Sequence, residues 1–233
     1  MSLKLLSALA ASLLLLILGG CAQNDTANYT APEQGDPEFL KGKNTRADEL
    51  YMNPGSGEGA REFRNVYIAL ADVSHIQVIK PEGADSDDDW KVTEKEEKIL
   101  QHAIIKEFTA ALSFQSAYNI ASTPEQADMI IHTTVVAIHP NGNRKQSQAG
   151  TRSGGAITAS IALVNASSRN VMVRSVDTKS SDNIWAFNQV ENDDPAVDLI
   201  FRSWGNSMRR GMLHLQGRSS DPLAQPVKLK EQK

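Results

Sequence analysis

Cysteine is almost absent from this sequence. Among 233 residues only Cys21 carries a thiol, which excludes an internal disulfide framework and a cysteine-rich zinc site. Aromatic residues are also few, at 6%. A surplus of positive charge is missing: 24 Lys and Arg stand against 28 Asp and Glu, a formal net charge of −4. No global basic field is available to hold nucleic acid, so no nucleic-acid partner is expected. No internal repeat is visible. What remains is 40% hydrophobic and 22% charged, enough for the core of one ordinary domain with polar segments left over. A prior of ~150 residues per domain agrees with one domain, two at most.

The N-terminus carries the strongest pattern. Met1-Ser2-Leu3-Lys4 gives one positive charge, and Leu5 to Leu18 is an apolar run broken by Ser7 and Ser12. Gly19-Gly20-Cys21 follows, and the chain turns polar at once with Ala22-Gln23-Asn24-Asp25. A charged start, a short apolar segment and small residues before a cut form the layout of a secretory signal. The run is shorter than the ~20 residues a membrane-spanning helix needs. Leu18-Gly19-Gly20-Cys21 resembles the lipobox of bacterial lipoproteins. The resemblance implies a diacylglyceryl group on the Cys21 thiol, cleavage before Cys21 and acylation of the new N-terminus. A multiply acylated cysteine holds a chain on a membrane stably, where a single acyl chain does not. The resemblance also implies sorting by the residue after the cysteine, and Ala22 in place of aspartate points to the outer membrane, with the domain facing the periplasm.

Residues 21–62 show little periodic hydrophobicity and carry Pro32, Pro37, Pro54 and Gly55-Ser56-Gly57-Glu58-Gly59. They read as a flexible tether after the 1–20 signal. Phe39-Leu40 and Leu50-Tyr51-Met52 are apolar spots able to dock on the domain. The glycine run lacks the lysine and preceding strand of a phosphate loop. A single domain is expected over 63–216, followed by a polar tail over 217–233.

Within the domain, Val66 to Ala71 is apolar on both alternating faces and continues through Val73, Ile76, Val78 and Ile79. A parity switch predicts a bulge near Asp72. The loop 81–90 carries Glu82, Asp85, Asp87, Asp88 and Asp89 but lacks the glycine and distal glutamate of a calcium loop. Thr93 and Glu96 form a capping box opening a helix to about Phe114, with Leu100, Ile104, Phe108 and Leu112 on one stripe. Short strand character at 118–120 and a helical turn at Thr123-Pro124 precede a long strand over 129–138. Strands are also expected over 156–164, with a wetter face at Thr158, Ser160 and Ala162, and over 171–178. A last helix is expected from Pro195 to Leu215, capped by Asp193-Asp194, with Trp204 central to its apolar arc. Gly211 falls in that arc, which suggests close approach there, while Arg202, Arg209 and Arg210 point away. The fold class is α/β: a two-layer sandwich with a mixed, mostly antiparallel sheet of about five strands and two long helices on one face.

Val66-Tyr67-Ile68-Ala69, Ala110-Ala111-Leu112 and Ala127-Asp128-Met129-Ile130-Ile131 resemble segments of a bacterial lipoprotein family, domain of unknown function 3313, over about residues 60–215. The strand–helix–strand start is also similar to small domains of periplasmic TolB-type proteins. Neither resemblance supplies catalytic residues.

Of His75, His102, His132, His139 and His214, no two share an i, i+4 helical spacing, so no metal site is nominated. His132 and His139 fall on opposite faces of a regular strand. With Cys21 used as an anchor no cysteine nucleophile remains, no Gly-x-Ser-x-Gly elbow is present, and no catalytic residue or cofactor is assigned. The loop 141–155 is long for a connection between paired strands and holds Arg144, Lys145 and Arg152 without an acid. These three are the candidate contacts to an anionic lipid or an acidic envelope protein. The resulting expectation is a lipid-anchored envelope protein that works by binding or assembly. The alternative classes are a periplasmic hydrolase acting on an envelope polymer and a self-associating module.

Overall fold

The computed structural model describes residues 40–43, 46–54, 59–84, 90–144, 154–185, 196–218 and 228–229. Three long strands form its frame: β6 (Met129–Pro140), β7 (Gly155–Asn165) and β8 (Val171–Ser181). They pair antiparallel in sequence order. Beyond β8 lie β2 (Glu49–Met52), β1 (Leu40–Lys43) and β9 (Lys228–Leu229), each antiparallel to its neighbour. On the other side of β6 lie β3 (Asn65–Ile68), β4 (Gln77–Val78) and β5 (Asn119–Ile120). Strands β3 and β4 both run parallel to β6, and β5 runs parallel to β3. The sheet is therefore mixed, mostly antiparallel, with nine strands among the described residues rather than about five.

Two of the added strands fall inside the expected tether. Leu40 and Leu50-Tyr51-Met52 do not merely dock; they extend the sheet edge, with Tyr51 opposite Arg174. Among the described residues the sheet therefore already includes Leu40, ahead of the expected start at Phe63. Two residues of the expected tail, Lys228 and Leu229, pair with β1. The continuous strand expected from Val66 to Ile79 is broken. Its register against β6 drifts from Val66↔Met129, through an isolated bridge Asp72↔Thr134, to Val78↔Ile138, so residues are extruded around the anticipated bulge.

Helix α1 (Glu94–Ser113) starts where the sequence places it. Thr93 Oγ1 accepts from the Glu96 amide at 3.3 Å, and the Glu96 carboxylate accepts from the Thr93 amide at 2.7 Å. Leu100, Ile104, Phe108 and Leu112 are fully buried, each contributing ~1.5–3 kcal/mol of burial. Helix α2 (Ala196–Leu215) buries Val197, Ile200, Phe201, Trp204 and Met212. Both helices share one core with Ile131, Val135, Ile157, Ala159, Ile161 and Leu163 of the sheet. They therefore cover the same face. Trp204 is fixed there by its indole N–H, which donates to Asp177 Oδ2 at 2.8 Å. The close helix approach is at Gly205, where a Cβ would lie 2.7 Å from the Ala111 Cβ. Gly211, expected at that contact, is exposed with nothing near its would-be Cβ. Arg202 does not simply point away: its guanidinium reaches Glu107 of α1 at 2.8 Å. The acid run 85–89, Asp193 and Asp194 lie outside the described residues.

Candidate functional site

Strand parity separates the two faces of the sheet. Ile157, Ala159, Ile161 and Leu163 face the helices, so Thr158, Ser160, Ala162 and Val164 face the other way. That second face is drier than the alternation suggested. Ile130, Ala162 and Val164 form a small cluster there, each at most 2% exposed. The hydrophobics packed on it, Tyr67, Ala69, Ala166 and Val171, belong to the sheet or to the segment and turn that continue its strands. Among the described residues no helix lies over this face.

A transverse row of side chains crosses it. Lys41 pairs with Tyr51, Tyr51 with Arg174, Arg174 with Ala162, and Ala162 with His132. The Lys41 ammonium sits 5.5 Å from the Tyr51 ring centroid and 3.0 Å from Glu49. The Tyr51 hydroxyl donates to Glu49 Oε2 at 2.9 Å. Arg174 is the centre of the row and is 4% exposed. Its Nε donates to Ser160 Oγ at 3.2 Å, while Nη2 is buried with no hydrogen-bond partner. No described carboxylate pairs with it. Burial pushes the guanidinium below the ordinary arginine value. Burial, and secondarily the charge of Arg169, likewise holds the His132 imidazole below its ordinary value.

His139 joins the same face, against the regular-strand expectation. The register between β6 and β7 shifts between Val135 and Ala137, which inserts Val136 and reverses parity. His139 Nε2 lies 3.0 Å from Thr158 Oγ1. Among the described residues no group of histidines and carboxylates could hold a metal ion.

The loop cations separate. Lys145 and Arg152 lie outside the described residues, as does Cys21. Arg144, expected to be a solvent-facing anion contact, is instead a partly buried tie. Its Nε and Nη2 meet the two Glu96 oxygens at 2.9 and 2.6 Å, and Nη2 also donates to the Lys91 carbonyl. The guanidinium stacks 4.2 Å from the Trp185 ring centroid, and the Trp185 indole N–H donates to the Gly142 carbonyl at 2.9 Å. One carboxylate thereby caps α1 and pins the start of the β6–β7 loop.

Two other arrangements resemble sites and are explained by local structure. Ser74 Oγ lies 2.7 Å from both Asp72 Oδ1 and His75 Nδ1. In a catalytic triad the carboxylate orients the imidazole; here both groups grasp the same hydroxyl, within one exposed turn. A cavity of about 240 Å³ lies where β2 ends, lined by Asn53, Asn165, Ser168, Asn170 and neighbouring backbone. Asn165 Oδ1 already accepts from the amides of Ser167 and Ser168, and Ser168 Oγ from that of Asn170. These side chains build the turn.

The row around Arg174 was not legible as a site in the sequence. The available signal was the wetter face at Ser160 and Ala162, together with an arginine inside the Val171–Val176 strand.

No family model matches the chain, including one for domain of unknown function 3313. No curated protein matches it either. Among solved structures the chain is similar to the PelC dodecamer from Paraburkholderia phytofirmans, at 10% identity and TM-score 0.36, over 61% of this chain and 86% of that one. It is similar to a Xanthomonas campestris protein of the DUF330 family at 12% identity and TM-score 0.35, over 66% and 86%. It is also similar to the lipoprotein GNA1162 from Neisseria meningitidis at 10% identity and TM-score 0.33, over 60% and 94%. Likeness at these values fixes neither family nor function. No helix among the described residues is long and apolar enough to cross a membrane.

Proposed function

We propose that this chain is a lipid-anchored protein of the bacterial envelope, held by Cys21, that works by binding a partner rather than by covalent catalysis. The anchor reading rests on the apolar run to Leu18 and on Leu18-Gly19-Gly20-Cys21, followed by a folded domain from Leu40. Ala22 makes the outer membrane the destination and the periplasm the side on which the domain lies. Kinship with the lipoprotein family of domain of unknown function 3313 is part of the same proposal and rests on the quoted segments alone.

The observation that carries the binding reading is the sheet face over which no described helix lies, with the buried guanidinium of Arg174 at its centre and no described carboxylate to meet it. Among the described residues no helix covers this face, and an arginine at its centre suits carboxylate or phosphate chemistry. The loop no longer supports that role through Arg144, which Glu96 occupies.

The test of the anchor is metabolic labelling with a fatty acid. Wild type should take up label and fractionate with membranes. Cys21→Ser should take up none and remain uncut or be released. Equal labelling of the two would refute the anchor.

A further inference from the structure

We infer that the end of the domain where both long helices finish docks on an anionic lipid bilayer, with four arginines meeting phosphate headgroups around the protruding ring of Phe114.

Helices α1 and α2 run side by side in the same sense. Asp198 meets Lys106, Gly205 abuts Ala111, and the Arg209 guanidinium lies 5.1 Å from the Phe114 ring centroid. Their C-terminal ends therefore lie together, beside the turn that enters β3. Gln216, just past α2, ties these parts to one another. Its Nε2 donates to the carbonyls of Ala60 and Phe63 at 2.7 and 3.0 Å. Its Oε1 accepts from the Tyr118 hydroxyl at 3.0 Å and from Arg218 Nη1 at 2.9 Å. Arg218 Nη2 donates to the Ala117 carbonyl, and Arg64 Nη1 to the carbonyls of Arg61 and Phe63.

Positive charge accumulates at this end without a matching acid. Burial pushes the Tyr118 hydroxyl up to about 12, while the charges of Arg218, Arg64 and Arg209 pull it down, so three guanidiniums gather around one side chain. Arg61 stands exposed on the same turn as Arg64. No described carboxylate forms an ion pair with any of the four. Asp128 is occupied by the Arg64 and Asn65 amides, and Arg209 Nε is buried without a hydrogen-bond partner. Helix C-termini attract cations, but two of them together supply about one negative charge. Four guanidiniums exceed that by about three charges, in a chain whose net charge is −4.

The second observation is Phe114 itself. It is 53% exposed, while Leu112 and Tyr118 on either side are buried. Gln115 and Ser116, the two residues that follow it, both have φ of 55°. Left-handed backbone at consecutive residues other than glycine is uncommon and gathers at binding surfaces. The ring decides between anionic partners: a bilayer offers it an apolar boundary to enter, while the guanidiniums around it meet phosphates. This surface is separate from the sheet face of Arg174. An anchor at Cys21 would bring it close to a membrane, but the contact does not require one.

The experiment replaces Phe114 with the photocrosslinker p-benzoylphenylalanine in the full chain, reconstituted into phosphatidylcholine vesicles with or without phosphatidylglycerol. Irradiation and mass spectrometry then identify what the ring touches. The expected product is a link to lipid in the phosphatidylglycerol vesicles. Its yield should be at least about five-fold lower in phosphatidylcholine alone or in ~0.5 M salt. The same probe at Leu199, 52% exposed in the first turns of α2, should give little lipid link. The variant R61Q/R64Q should lower the Phe114 yield at least about two-fold. A melting curve checks that variant's fold, and where the curve shifts, the salt and lipid arms on the unaltered arginines decide. A link to another segment of this chain, to a second copy (scored by mixing isotope-labelled and unlabelled protein) or to another protein in place of lipid would overturn the inference. So would equal lipid yields with and without phosphatidylglycerol, or equal yields from positions 114 and 199. Fatty-acid labelling of the same preparation is scored separately, so a missing anchor and a missing docking surface are distinguishable.

Discussion

Arg144→Met should destabilise the domain substantially. The variant keeps most of the apolar stem and removes the guanidinium that stacks on Trp185. Glu96, whose side chain is 1% exposed, would lose both guanidinium contacts, at 2.9 and 2.6 Å. Breaking a buried pair by removing one partner costs ~3–5 kcal/mol. The stacking on Trp185 adds up to ~2 kcal/mol where the cation is desolvated. Against these, Thr93 still donates its amide and hydroxyl to Glu96 Oε2, so about 3 kcal/mol is the expected net loss. That is a large share of a total stability of ~5–15 kcal/mol. It corresponds to a fall in melting temperature of ~6–12 °C for a domain of this size. Urea denaturation should show a lower midpoint with an unchanged m-value. The cycle with Glu96→Gln should return a coupling of at least ~1.5 kcal/mol, since the two groups touch. Lys145→Met and Arg152→Met, read as surface cations, should each stay within ~0.5 kcal/mol. A loss below ~1 kcal/mol for Arg144→Met, or additivity within ~0.5 kcal/mol in the cycle, would refute the tie.

Two glycines of α2 should respond with opposite sign: Gly211→Ala, with open space at its Cβ, should stabilise by up to ~1 kcal/mol, whereas Gly205→Ala should destabilise by ~1–3 kcal/mol through its 2.7 Å clash with Ala111, and Ala111→Gly should restore most of that loss in a thermal melt. Acid titration of stability should report Glu107. Burial raises its carboxyl, but the hydrogen bond and charge of Arg202, with Lys106 behind them, outweigh burial and hold it below the ordinary 4.5. Its contribution is therefore full above about pH 5 and lost as pH falls through the carboxylate range, and Arg202→Met should flatten that limb. His132, held low by burial, contributes stability above its ordinary 6.5 that declines as pH falls below it, so His132→Gln should reduce the slope on the acid side of that value.

Both long helices were readable because their signals are local. The Thr93–Glu96 box and the four-residue recurrence from Leu100 to Leu112 need nothing beyond one turn of helix to be recognised. The long strands were readable for the same reason. The sheet was undercounted because Leu40–Lys43 and Lys228–Leu229 are two to four residues long and because Gln77–Val78 separates from the strand expected from Val66. Alternation cannot establish itself over so few positions, and these strands exist through backbone pairing to a neighbour. Glu49–Met52 is as short and is fixed by β8. Arg144 was misjudged because its partner lies 48 residues away, behind a capping role that seemed to use Glu96 completely. Gly205 and Gly211 both lie on α2, and only the approach of α1 decides which one matters. The bulge at Val136 moved His139 across the sheet with no glycine or proline at the bulge itself to announce it.

The distribution of buried charge gives the two faces different meanings. Five charged residues are buried among the described residues: Glu96, Glu107, Arg174, Asp177 and Asp198. The four carboxylates each meet a cation, Glu96 with Arg144, Glu107 with Arg202 and Lys106, Asp198 with Lys106, and Asp177 with Lys179. All four serve the helix side, tying α1 to the β6–β7 loop, α1 to α2, and β8 to Trp204. Each is satisfied inside the fold, so the fold is reason enough for its presence. Arg174 alone has no counter-charge, and it alone stands on the other side. A chain selected only to fold gains nothing by burying a guanidinium there, since Met or Leu would complete the Ile130–Ala162–Val164 cluster at lower cost. On the proposed reading, the group that meets Arg174 comes from outside the described residues. Arg174→Met separates the two causes: it should raise or preserve the denaturation midpoint of the domain while abolishing whatever carboxylate contact the face makes. A stability lowered by more than ~2 kcal/mol would show that the arginine is structural after all.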